Sequence, residues 1–364
     1  MNQYRGALAS QHLQELLSNN VIQAKEPLVK GQLQPASLDL RLGDIAYRVR
    51  SSFLPGLGRT VQQCIDKLTM HTIDISQGAV LEKGCVYIVP LQESLALSEN
   101  LTAAANPKSS TGRLDVFTRM ITDGAREFDQ VEAGYKGILY AEICPQTFSI
   151  LVRSGSRLSQ LRIRSGRAFL DDSEHVQLHQ TRQLTDGNIA PAHIRGGIPL
   201  TADVQGKDND GLIGFRAKRH AKVIDIDEVA ACPVDDFWEP VYANANQGLI
   251  LDPGEFYILA SSEAVHVPVD HAAEMVAYDN LVGEFRVHYA GFFDPGFGAP
   301  EAGGGGSKAV LEVRSYEVPF LLEHGQYVGR LVYEALSAMP ETVYGAGLSS
   351  NYQSQGLKLS KHFR

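Results

Sequence analysis

The segment PKSSTGR, beginning at Pro107, puts two adjacent hydroxyls, a glycine and two cations within one short stretch. Ser109 and Ser110 can donate to phosphate oxygens, Gly112 admits close backbone approach, and Lys108 and Arg113 add charge-assisted hydrogen bonds. Such a cluster is a phosphate cradle outside the P-loop pattern, or a polar turn. Two carboxylates have comparable promise. VEAGYKGILYAE ends at Glu142 and SKAVLE ends at Glu312, each closing a strand-like run behind a glycine turn. There a carboxylate either faces an interior pocket, where desolvation raises its pKa and suits it to proton transfer, or sits at a rim beside an arginine. Near the C-terminus NYQSQG, from Asn351 to Gly356, can close over a ring and its phosphates or fray as a polar terminus.

Other features carry less. His175 and His179 have i, i+4 spacing but lack the glutamate and third ligand of a zincin. The H-x-E and P-C-x-x-C pair of a zinc nucleobase deaminase is absent, and DPGFGAPEAGGGGSK does not hold a Walker A loop in register. The stretch APEAGGGG is flexible by composition and reads as a solvated loop or a lid.

The elements that must position these residues repeat. Sliding the chain by 170 residues lays GAVLEKGCVYIVPLQES on GLILDPGEFYILASSEA, Glu142 on Glu312, and Gly155 on Gly325. One fold is therefore written twice, as residues 1–165 and 211–364, joined by a polar, glycine-rich connecting segment at 166–210. With a one-residue gap, the counterpart of PKSSTGR is YDNLVGE from Tyr278, where Asn280, Leu281 and Glu284 replace the serines and Arg113. The second copy has lost its phosphate chemistry. Short alternating runs bounded by Gly, Pro, Asp and Asn read as strands, and one amphipathic helix starts with Ser10 as its N-cap. Long helices do not alternate with strands, so the expected fold is mainly β, two barrels or sandwiches, and not a doubly wound sheet.

Hydrophobic residues make up 44% and charged residues 21% of 364 positions, enough for sizeable cores and against bulk disorder. A net charge of −9 opposes nucleic-acid binding while leaving room for a small anion. Four widely spaced cysteines read as buried free thiols in a reducing compartment, and with no signal core or 18-residue apolar run the expected location is the cytoplasm, off the membrane.

Taken together, QPASLDLRLG from Gln34, PKSSTGR, the paired glycine turns with terminal glutamates and NYQSQG resemble the deoxycytidine triphosphate (dCTP) deaminase family. That family shares its fold with trimeric dUTPases. The resemblance covers both halves, so the chain is similar to a double-length branch of a mostly single-lobe family. It implies two tandem dUTPase-like distorted jelly-roll β-barrel lobes with a few short helices. It also implies hydrolytic deamination of dCTP to dUTP and ammonia, feeding thymidylate synthesis. Ser109 and Arg113 would then position water and polarise the ring, while Lys108 and Ser110 hold phosphate. Glu142 and Glu312 both align with the catalytic glutamate, which shuttles protons. Ala290 falls in the hairpin whose backbone reads the base, Asp294 in its D-P-G turn, and Tyr352 and Gln355 in the closing tail. Mg²⁺ is implied with the triphosphate, and no zinc.

Neither half holds a full set. One expectation is a composite site, with Ser109, Ser110 and Arg113 facing Ala290, Glu312 and Tyr352; its rival is a site among first halves of different chains, using Glu142. Sites between lobes imply a homo-oligomer. The alternative functions are a dUTP pyrophosphatase or bifunctional enzyme, with water held on Asp294 or Glu132, and a non-catalytic nucleotide-sensing regulator.

Overall fold

A computed structural model describes residues 4–244, 248–277, 285–287, 291–315, 317–345 and 355–364. The chain is mainly β, and among the described residues the three helices longer than one turn are Ser10–Ser18, Val61–Leu68 and Asp172–Arg182. None is long and apolar enough to cross a membrane. Ser10 is the first helical residue and not the cap; Ala9 precedes it in extended conformation, without a side-chain capping bond. All four cysteines are free; Cys64 is buried, whereas Cys85, Cys144 and Cys232 are only half-buried.

The repeat seen in the sequence persists in strand register. Strand Lys136–Pro145 pairs antiparallel with Val86–Ala96, setting Glu142 opposite Ile88, and Ser307–Ser315 pairs with Phe256–Val265, setting Glu312 opposite Ile258. Leu101–Pro107 meets Ser159–Ser165 as His271–Ala277 meets Tyr327–Ala335, with Pro107 opposite Ser159 and Ala277 opposite Gly329. Local details repeat too. The backbone N–H of Glu82 donates to the Tyr87 hydroxyl at 3.1 Å, and that of Asp252 to Tyr257 at 3.1 Å. Gly84 and Gly254, both with φ of +74°, make the turn before these strands, a left-handed conformation that suits glycine.

Each half contributes antiparallel sheets whose buried faces feed an apolar core. The cores do not divide where the sequence does. Ala217, Ile224, Ile226, Phe237, Trp238 and Leu359, from the second half, lie in the core of the first. Trp238 packs edge-on against Phe148 and Phe363, at 5.4 and 5.7 Å between ring centroids. Ile224–Asp225 adds a parallel strand to Ile150–Val152, and Arg153 holds Asp225 through two 2.7 Å hydrogen bonds.

The segment 166–210 is not a loose connector. Asp171 and Glu174 form a capping box for helix Asp172–Arg182, and Ile198–Thr201 is a strand paired with Tyr327–Ala335. Leu184, Ile194, Ile198 and Leu200 are fully buried in the second core. Its polar average conceals these few apolar anchors. His175 likewise serves the core: Nδ1 contacts the Asp171 carbonyl and Nε2 accepts from the Tyr333 N–H at 3.0 Å. The glycine-rich stretch around Ala299 is pinned at Gly298, Gly304 and Gly306, while Gly303 and Gly305 are exposed with open space around them. A Cβ on Gly298 would meet the Val265 carbonyl at 2.2 Å, and one on Gly306 the Ala264 side chain at 2.9 Å, so these glycines permit backbone contact.

Candidate active site

Strand Leu101–Pro107 ends in proline, and the chain leaves it through extended Lys108 into one helical turn, Ser109–Gly112. Lys108 N–H bonds the Leu158 carbonyl at 2.9 Å, and its own carbonyl accepts from Thr111 and Gly112, which fixes the turn against the sheet. The loop thereby presents Lys108, Ser109, Ser110 and Arg113 to a cavity of about 390 Å³. That size suits a small organic ligand.

The opposite wall comes from the second half. Met275, Phe292, Phe293, Asp294, Glu312 and Gln355 line the same cavity. Glu312 lies in an almost wholly buried strand, 4.0 Å from Arg113 Nε. Burial pushes its pKa up to about 8 against the opposing pull of Arg113. A carboxyl so placed is neutral at pH 7 and able to give a proton. Asp294 is pushed up to about 6, again by burial, with Arg162 opposing at 3.6 Å.

The C-terminal segment is stitched across the loop. Arg113 donates to the Gln355 side-chain oxygen at 3.1 Å and to the Lys358 carbonyl at 3.0 Å, and the Ser360 hydroxyl donates to the Ser110 carbonyl at 2.8 Å. Lys361 reaches the cavity as well. Burial, then the nearby cations Lys108 and Arg157, lower its pKa. Buried Asp39 receives Lys108, Arg157 at 3.3 Å and Gln160 at 3.3 Å. Two cations on one carboxylate, with Lys361 near them, leave positive charge for an anionic ligand.

The two glutamates of the repeat part company here. Glu142 is buried outside the cavity, ion-paired with Arg119, whose guanidinium stacks 3.8 Å from the Phe128 ring and bonds Ser52. Arg119 and the Phe128 ring stand beside Glu142, whereas Glu312 lines the cavity. Glu132 is exposed beside Arg126, also outside the cavity. Ala290, Tyr352 and the counterpart segment from Tyr278 to Glu284 lie outside the described residues.

Sequence reasoning passed over Asp39, although it sits in PASLDLRLG, and Arg157, Gln160 and the aromatic wall Phe292–Phe293. Nothing local marks them. They are remote in sequence from PKSSTGR and become neighbours only through strand pairing, as when Gln160 falls opposite Asp39. Among the described residues, no group of three His, Cys, Asp or Glu side chains is placed to hold a metal ion.

Comparison with known proteins agrees along the chain. Residues 4–167 match the N-terminal domain, and residues 171–363 the C-terminal domain, of the family described as 2'-deoxycytidine 5'-triphosphate deaminase. A "dCTP deaminase, dUMP-forming" of Leifsonia xyli is 30% identical over 47% of this chain and 86% of its own length. Another so named, from Beutenbergia cavernae, is 29% identical over 47% and 90%. A crystal structure of 2'-deoxycytidine 5'-triphosphate deaminase from Agrobacterium tumefaciens superposes with a TM-score of 0.87 at 57% identity, covering 92% of this chain and 99% of that one.

Proposed function

Since this chain belongs to the 2'-deoxycytidine 5'-triphosphate deaminase family, we propose that it hydrolyses the amino group of dCTP at a site built from both halves. The observation that carries this is the meeting of Glu312 with Arg113 and Ser109 at one cavity. Each half is read as a dUTPase-like jelly-roll lobe, the second beginning in the folded segment after residue 170, and the chain as part of a cytoplasmic homo-oligomer.

Lys108, Arg157 and Lys361 take the phosphates, which bring their own Mg²⁺, and the base enters towards the aromatic wall. Ser109 orients the attacking water, and Arg113 faces the charge that develops on its oxygen. Neutral Glu312 gives its proton to N3 as water adds to C4, then takes a proton from the added water. That proton passes to the amino nitrogen, ammonia leaves with the C–N electron pair, and the hydroxyl proton returns to Glu312 as the carbonyl forms. Such acid–base help is worth about 10²–10⁴-fold.

A second outcome is favoured by Asp294. Its Oδ1 makes no hydrogen bond among the described residues, and it lines the same cavity, where it can hold a water against the α-phosphate. The relatives named dUMP-forming point the same way. Supplying dCTP and assaying ammonia, uracil nucleotides and pyrophosphate separates the two. Ammonia with dUTP and no pyrophosphate means deamination alone, and pyrophosphate in step with ammonia means dUMP formation. Glu312→Gln is expected to abolish ammonia release and Glu142→Gln to spare it. Full turnover by Glu312→Gln removes the composite site, and tight dCTP binding without any product by the unaltered protein leaves a regulator instead.

A further inference from the structure

Behind the contact between Arg113 and Glu312 lies a second one of opposite polarity. Asp115, two residues after Arg113, is fully buried and pairs with Arg314, two residues after Glu312 on the same strand. Thr147 ties them together: its hydroxyl donates to Asp115 at 2.5 Å and accepts from Arg314 at 2.8 Å. Arg314 also donates to the Gly254 carbonyl, while Asp115 is held in a left-handed turn, φ +58°, by its N–H bond to Gly112. Neither side chain lines the cavity.

Residues two apart on a strand share a face, so Glu312 and Arg314 both look towards the first-half loop. The four charges form a crossed array. Sliding the strand by one such step would set Arg113 against Arg314 or Asp115 against Glu312, which like-charge repulsion forbids. The device belongs to this interface alone, for the position matching Arg314 in the first half is Cys144.

We propose that Asp115 and Arg314 are a positioning pair that holds the Arg113 loop and the Glu312 strand in the one register where both act on the same ring. The inference rests on the composite site proposed above. Asp115 also bears on the proton chemistry, since its charge opposes that of Arg113 at Glu312. The other charged groups on the cavity wall are Lys30, Asp39, Lys108, Arg157, Asp294 and Lys361, and Lys308 and Arg314 lie on Glu312's own strand; its partner on strand Phe256–Val265 is Ile258.

The test is the pH dependence of steady-state dCTP deamination by Asp115→Asn and Arg314→Met in the full chain, with Thr147→Val as the mildest change. Misplacing the reacting groups should lower kcat roughly 10–100-fold, with KM altered less than about threefold. The double variant should be little worse than either single one, because the two act as a unit. The alkaline limb of kcat should move down in pH for Asp115→Asn, which removes a negative neighbour, and up for Arg314→Met, which removes the positive charge that offsets Asp115. Thr147→Val, which keeps both charges and the side-chain shape, should lose turnover several-fold at unchanged limb position. Limbs that stay put or move the same way in both charge variants, or losses confined to KM, overturn the pairing. Glu312→Gln run alongside keeps the two ideas apart: if it retains turnover, the composite site itself is what fails.

Discussion

Arg164 and Glu334 occupy the same position in the two halves, and they pair with each other, Nε to Oε2 at 2.6 Å. Arg162, wholly buried, adds a second cation to Glu334 at 2.9 Å, and Glu274 accepts from Arg164 at 3.0 Å. A repeated position has become the seam between its own copies. Burial alone pushes the Glu334 pKa up, but Arg162 and Arg164 outweigh it and hold it below the ordinary carboxylate value.

Glu334→Gln leaves two buried guanidiniums short of charge and is expected to cost about 3–5 kcal/mol in urea unfolding. Because the folded pKa is depressed, the stability it contributes is present above the unfolded carboxylate value and lost as pH falls through the folded one. Acidification should therefore narrow the gap between wild type and variant.

Glu312 has the opposite sign. With its folded pKa raised to about 8, its favourable contribution is complete below the unfolded value, near 4.5, and is lost as pH rises through 8. Glu312→Gln removes that penalty. Its melting temperature should equal or exceed that of wild type at pH 8.5, with the advantage vanishing near pH 4, while ammonia release is lost.

Lys361→Ala should weaken nucleotide binding while leaving Glu312 and Arg113 in place. A charge-assisted bond is worth roughly 1.5–3 kcal/mol, so dUTP binding to the variant should fall about tenfold or more by calorimetry, and less at high salt. Unchanged affinity would remove Lys361 from the phosphate end.

Trp238→Ala tests the shared core. The residue belongs to the second half but is fully buried in the first. Its truncation is expected to cost about 3–5 kcal/mol and to speed amide exchange in strand Lys136–Pro145. Protection lost only around Trp238–Tyr242 would mean the halves are energetically separate.

Much was legible in the amino-acid order because it depends on local spacing. Alternation marks the strands, and the 170-residue offset that aligns Ile88 with Ile258 and Glu142 with Glu312 holds in the strand register, where Glu142 lies opposite Ile88 as Glu312 lies opposite Ile258. PKSSTGR stands out as a cluster because hydroxyls, glycine and cations adjacent in the chain are adjacent in space, and Lys108, Ser109, Ser110 and Arg113 line one cavity. The folded part of 166–210 is hidden in the sequence because average polarity does not register a few buried leucines and isoleucines such as Leu184, Ile194, Ile198 and Leu200.

Choosing between Glu142 and Glu312 was beyond the sequence, since equal positions in a repeat carry equal local signals. Only tertiary structure separates them: Arg119 and the Phe128 ring occupy the space beside one, while Arg113 and an open cavity stand beside the other. That difference arises from contacts between distant segments, where burial sets the proton affinity of Glu312 and a crossed pair of charges sets its register.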